Sequence, residues 1–316
     1  MSHTPHTEAA LSSAAPLKQS LAEQSAQARR ELNQYGFARQ DYQRLAAIAD
    51  AAIEHLRRAG IEAGSTGRLA RARRVLGDLL AILENPDAEV VPPSESEVYL
   101  TGLELGQLSQ IVHTLVQPNG RWNEPVTRVV SGEAAPDVNA EARFKLQFAT
   151  MCRQAHLKIE PPNQGIASDM VLDLNGWRIG VAGTALAAGG DVSAAVAQAV
   201  ARLKADRLAG LIVLEVTPLV WPERQVIRVA SDAVAVHELQ RRADWFLASQ
   251  KDAVWPAVDP AYAFGILAVA TLPTYNVATR HVAFSTTFRI AALCDDHDPR
   301  AARLSEFAQR FQRLGR

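Results

Sequence analysis

Only two cysteines, Cys152 and Cys294, occur in the 316 residues of this sequence. Two thiols cannot staple a chain of this size and fall short of the four ligands of a structural zinc site, so a reducing, cytoplasmic setting is expected. An excess of one charge is also lacking. Basic residues number 33 and acidic ones 34, for a net charge of -1. No bulk field marks the chain as a binder of nucleic acid or membrane, so any such role has to be local. Long apolar runs are missing too: the longest, Gly210 to Val220 and Tyr262 to Pro273, are too short and too β-rich for a bilayer span and read as buried strands. Met1 to Ser20 has neither a basic start nor an apolar stretch of signal-peptide length. There is no phosphate-binding glycine loop, nucleophile elbow or His-x-x-x-His spacing, and Gly183, Gly189 and Gly190 do not form a dinucleotide fingerprint.

What is present fits a globular chain with a substantial core: 48% of residues are hydrophobic and 21% charged. Lysine is confined to Lys18, Lys145, Lys158, Lys204 and Lys251, the other basic residues being arginine. With the many alanines, this reads as the coding bias of a GC-rich bacterial genome.

Residues 1–25, rich in Ser, Thr, Gln and Ala, read as a flexible tail. Residues 26–120 read as a helical region. Leu45, Ile48, Ala52, Ile53 and Leu56 recur at helical spacing up to Gly60, and Leu69, Val75, Leu76, Leu79, Leu80 and Leu83 do so up to Asn85-Pro86. A third helix is expected over Gly102 to Val116. From about 121 to 316 the pattern is mixed: a helix over Ala140 to Ala155, strands over Met170 to Leu174 and Trp177 to Val181, and a helix over Asp191 to Leu208. Further strands follow over Gly210 to Thr217, Gln225 to Val229, Tyr262 to Thr271 and Val282 to Leu293, with helices over His237 to Ser249 and Arg300 to Leu314. Asn175-Gly176 is the strongest short hairpin signal in the chain.

Helix, Asp-led strand, hairpin, second strand, crossover helix and third strand form an arrangement that resembles the PD-(D/E)XK, restriction-endonuclease-like superfamily over about 140–220. The resemblance implies an α+β fold, a mixed sheet flanked by helices, preceded here by the helical N-terminal region. In that family a helical Glu, a strand Asp and an E-x-K on the next strand converge on Mg²⁺ and a phosphodiester. Glu141 stands at the helical position and Asp169, after Ser168 in place of Pro, at the first-strand position. The expected E-x-K positions hold Ala182 and Thr184, which supply neither a metal ligand nor a charge. Gln198 and Arg202 are spaced i, i+4 on the crossover helix, similar to the phosphate-contacting Q-x-x-x-Y of some members, with Arg in place of Tyr. Glu215 is a candidate migrated metal ligand, and Lys204 a candidate replacement for the missing lysine.

Each of these residues also has a plain role. Glu141 suits the start of a helix, Asp169 a turn or cap, Gln198 and Arg202 a solvated face, and Lys204 the C-terminal half of a helix. Arg57, Arg58, Arg68, Arg71, Arg73 and Arg74 form the most basic local stretch, with Glu62 its one acidic residue. Arg68, Arg71 and Arg74 share a helix face and could hold phosphates without reading sequence; a solvated face is the alternative. Asp295-Asp296-His297-Asp298 has metal-ligand residue types, but its adjacent spacing reads as a turn and helix cap. The combined expectation is a catalytically degenerate PD-(D/E)XK-like protein that acts as a nucleic-acid-binding or scaffold subunit, in bacterial defence or DNA processing. DNA, RNA or a catalytic protein is the expected partner, with no membrane role and no cofactor. Two alternatives stand beside it: a divergent active nuclease holding Mg²⁺ with Glu141, Asp169 and Glu215, and a protein-interaction module without nucleic acid.

Overall fold

Small and branched apolar residues at three- and four-residue spacing determine which helix faces turn inward. Helix α1 (Arg39–Arg58) buries Tyr42, Ala46, Ala49, Ala52 and Leu56. Helix α2 (Arg68–Glu84) buries Leu69, Ala72, Val75, Leu76, Leu79 and Ile82, and the Asn85 N–H at its C-cap donates to the Ala81 carbonyl. Helices α3 (Glu95–Leu115), α4 (Asn123–Ser131) and α5 (Pro136–Gln154) complete the N-terminal half. The computed structural model describes residues 39–64, 67–85, 90–93, 95–131, 136–161, 167–222, 227–279, 281–295 and 297–312. The tail expected over 1–25 lies outside them. Among the described residues no helix is long and apolar enough to cross a membrane.

The second half is a mixed sheet. Strands β1 (Lys158–Glu160), β2 (Met170–Leu174) and β3 (Trp177–Ala185) form an antiparallel meander. Helix α6 (Val192–Ala205) then crosses over to β4 (Gly210–Glu215), which runs parallel to β3. A short helix α7 (Thr217–Val220), β5 (Ile227–Val229) and α8 (Asp232–Val254) lead to the long strand β6 (Ala263–Asn276), which pairs in parallel with both β4 and β5. Strand β7 (His281–Ala292) returns antiparallel along the other side of β6, and α9 (Pro299–Gln312) ends the described chain.

The hairpin between β2 and β3 forms as its sequence dictates. Leu174 pairs with Trp177, while Asn175 and Gly176 take φ of 54° and 85°, the left-handed pair that a two-residue type I′ turn needs. Asp173 Oδ1 accepts a hydrogen bond from the Gly176 N–H at 2.7 Å, and Asn175 Nδ2 donates to Glu306 of α9 at 2.6 Å. Close approach matters at Gly210, where an added Cβ would lie 2.1 Å from the Gly180 carbonyl oxygen, so β3 and β4 could not meet in this register with any larger residue.

Strand alternation splits the interior into two clusters. Leu211, Val213, Leu267 and Val269 face a core shared with α1 to α5 and α9, whereas Ile212, Leu214, Ile266 and Ala268 face α6 and α8. The first core runs from Tyr42 to Phe311 without a break near residue 120, so the N-terminal helices and α9 cover one face of the sheet and α6 and α8 the other.

Candidate functional site

Strand β2 begins one residue after Asp169, while β3 runs on past that point to Ala185. The Asp169 N–H donates to the Val181 carbonyl at 2.9 Å, which leaves the Gly183 N–H beyond the end of the β2 backbone. The Asp169 side chain takes over there, and its Oδ2 accepts from the Gly183 N–H at 2.7 Å. The carboxylate therefore caps the strand ladder at the edge of both sheet faces, with a side chain only 13% exposed.

Both faces supply a cation to it. From α5, Lys145 Nζ lies 2.7 Å from Asp169 Oδ1 and also pairs with Glu141 one turn earlier. From α6, Arg202 Nη1 donates to Asp169 Oδ2 at 2.7 Å, and Nη2 donates to the Gly183 carbonyl at 3.3 Å and to Thr184 Oγ1 at 3.0 Å. Glu141, Lys145, Asp169 and Arg202 make a formally neutral chain of alternating charge. Both oxygens of Asp169 are occupied.

A second carboxylate positions the approach to this site. Asp206, at the C-cap of α6, accepts from the backbone N–H groups of Ala167 and Ser168, each at 2.6 Å. Burial pushes its pKa up, but the nearby Ser168 side chain and the hydrogen bonds from these two amides outweigh that, so the group titrates below its ordinary value.

Of the residues expected from sequence, Glu141, Asp169, Thr184 and Arg202 come together. Ala182 is fully buried in the α6-side core. The face that Lys145 covers carries Gly183 and Ala185 instead, and the Lys145 stem lies over Gly183, with Cγ 3.4 Å from where a Cβ would be. Glu215 pairs with Val269 and sits beside Ala185 in the β3–β4 register. Among the described residues no three His, Cys, Asp or Glu side chains form a group that could hold a metal ion, so Glu141, Asp169 and Glu215 do not converge. Gln198 is exposed one turn before Arg202. Lys204, offered as a replacement lysine, pairs with Asp259 at 3.1 Å.

The arginine stretch is balanced by acids from its own and neighbouring helices. Arg57 and Arg58 pair with Glu54, Arg68 with Glu104, Arg71 with Glu97 at 3.1 Å and Arg73 with Asp50 at 2.8 Å, while Arg74 is exposed. Hydrogen bonds from Arg57 and Arg58 lower the Glu54 pKa to about 2. Around Asp295-Asp296-His297-Asp298, Asp298 accepts from the Arg300 side chain and backbone at the start of α9, as expected of a cap; Asp296 lies outside the described residues.

Sequence reasoning passed over Lys145 and Asp206, and each left a signal. Lys145 is one of only five lysines and falls four residues after Glu141. Asp206 carries negative charge at a helix C-terminus, where the dipole opposes it, which marks a residue kept there for a specific bond. No family model, no curated protein and no solved structure matches the chain.

Proposed function

We propose that this chain is a catalytically degenerate PD-(D/E)XK-like protein that works by binding rather than by cutting, as a scaffold subunit. The order α5, β2–β3 hairpin, α6 and parallel β4, with Asp169 leading β2, supports the likeness. The observation that carries the loss of chemistry is the filled carboxylate. Asp169 holds Lys145, Arg202 and the Gly183 amide, and the adjacent β3 positions are Gly183, Thr184 and Ala185. A divalent cation would have to displace two bound cations from Asp169 and would find no second carboxylate on β3.

Of the two binding roles, scaffold and nucleic-acid grip, the arginines favour the scaffold. Guanidinium groups already paired with Glu54, Glu97, Glu104 and Asp50 release few counterions on meeting a phosphate backbone. Fluorescence anisotropy with short DNA and RNA duplexes tests this. The expected Kd is no tighter than about 10⁻⁶ M at physiological salt, the range of non-specific binding. Binding that is much tighter, falls by about 10³-fold or more between 50 and 200 mM salt, and is lost when Arg71 and Arg74 are neutralised and Gln198 is changed to Ala would establish the nucleic-acid role instead.

One observation favours a second reading, a divergent active nuclease. The Lys145 ammonium sits beside Asp169 over a strand position that has no side chain of its own. In that reading Mg²⁺ would displace Lys145 from Asp169, and the freed ammonium would meet the phosphate.

A further inference from the structure

The outer strands β1 and β7 of the sheet are built differently. Strand β1, at one edge, has three residues and carries Lys158 and Glu160, the short and charged form that discourages further pairing. Strand β7, at the other edge, has 12 residues, no proline, no lysine and an unbroken register with β6 from Ala292 back to His281. Its one fixed charge, Arg289, pairs with Asp244 of α8 at 2.9 Å.

The ladder with β6 shows which amides point away from it. The Leu293 N–H donates to the Phe264 carbonyl at 3.0 Å, so in the antiparallel alternation the backbone groups of Ala291, Arg289, Thr287 and Ser285 also turn towards β6. Those of Phe284, Thr286, Phe288, Ile290 and Ala292 turn outward. Among the described residues no backbone hydrogen bond covers that outer row.

We infer that β7 is an interaction edge whose partner is the β7 strand of a second copy of this chain, paired antiparallel about a two-fold axis. Self-pairing is favoured by charge and register. Centred on Thr287, it exchanges hydrogen bonds between Thr286 and Phe288 and between Phe284 and Ile290 of the two copies, and sets each Arg289 opposite a Ser285. No like charges face one another, and the outer row is satisfied along its described length. The result is one sheet continuous through two chains.

Light scattering of the full chain at about 100 μM tests this directly, since mass action favours a dimer at that concentration. The expected mass is twice the 34.3 kDa of one chain. Thr286→Pro removes an outward amide and leaves the β6 ladder intact, at the loss of the 3.2 Å contact between the Thr286 and Thr271 hydroxyls, and is expected to give a folded monomer. Hydrogen exchange on the wild-type chain covers the case in which that variant does not fold. The amides of Thr286, Phe288 and Ile290 are expected to slow by on the order of 100-fold or more from dilute to concentrated protein, while those of Thr287 and Arg289 stay protected throughout. A wild-type monomer at the higher concentration, a folded Thr286→Pro that remains a dimer, or outward amides that exchange alike at both concentrations would each overturn the inference.

Discussion

Asp169→Ala is expected to lower the unfolding free energy by about 2–4 kcal/mol, the cost of breaking a shielded ion pair from one side with some relief from solvent. The side chains of Lys145 and Arg202 are 23% and 24% exposed, so both cations are partly shielded from water. Without the carboxylate, two cations remain near one another and the Gly183 amide loses its acceptor. Asp169→Asn keeps an acceptor but not the charge, and is expected to lose about half as much. Lys145→Met is expected to cost less again, roughly 1 kcal/mol, because Arg202 still balances Asp169 and Glu141 is partly open to solvent. Urea unfolding followed by circular dichroism reads all three. A carboxylate kept for a metal behaves oppositely, since its removal is neutral or stabilising in the metal-free protein. A change below about 0.5 kcal/mol for Asp169→Ala would therefore contradict a cation-filled site.

Phe311→Ala is expected to cost more, about 3–5 kcal/mol. Phe311 is fully buried on α9 and meets three rings: Phe307 at 4.5 Å, Phe288 of β7 at 5.1 Å and Phe148 of α5 at 5.7 Å between centroids. Its loss opens a cavity where the last helix joins the sheet and the helix that carries Lys145. Truncation at Phe311 is thus expected to loosen α5 and raise amide exchange around Lys145, far along the chain from the substitution. Calorimetry gives the stability loss, and unfolding within about 1 kcal/mol of wild type would show that α9 is not tied into the core in this way.

Much of the architecture is legible in sequence because its signals are local. The i, i+3, i+4 rows of α1 and α2, the Asn175-Gly176 turn and the alanine-rich crossover helix α6 each arise within about 20 residues, where periodicity and turn chemistry operate. Short elements escape that reading. Strand β1 has three residues, too few to show a period, and α7 continues the apolar run of β4. Strand β6 was expected to end at Thr271 yet passes through Pro273. The reason is topological: the Pro273 nitrogen faces the side on which β4 has ended at the Glu215–Val269 pair and β5 begins at Thr274, so no ladder bond needs a donor there.

The site divides the same way. Asp169 at the head of β2 and Arg202 on the crossover helix follow from arrangement, but the bond between them joins residues 33 apart and no local pattern encodes it. The arginine stretch shows the opposite error. Counting charges between 57 and 74 makes it strongly basic, yet its counter-charges Asp50, Glu54, Glu97 and Glu104 come from α1 and α3 on either side. Local charge density becomes a surface property only after tertiary partners are included.

On the proposed reading, with Asp169 filled by Lys145 and Arg202, the chain binds and does not cut nucleic acid. Incubating purified protein with supercoiled DNA, linear duplexes and structured RNA in Mg²⁺ or Mn²⁺, and resolving the products on gels, tests it most directly. No metal-dependent cleavage is expected, with the same blank lanes for wild type, Asp169→Ala and Lys145→Met. Robust nicking by the wild-type chain that disappears in both variants would contradict it and make Asp169 and Lys145 the centre of a divergent active site.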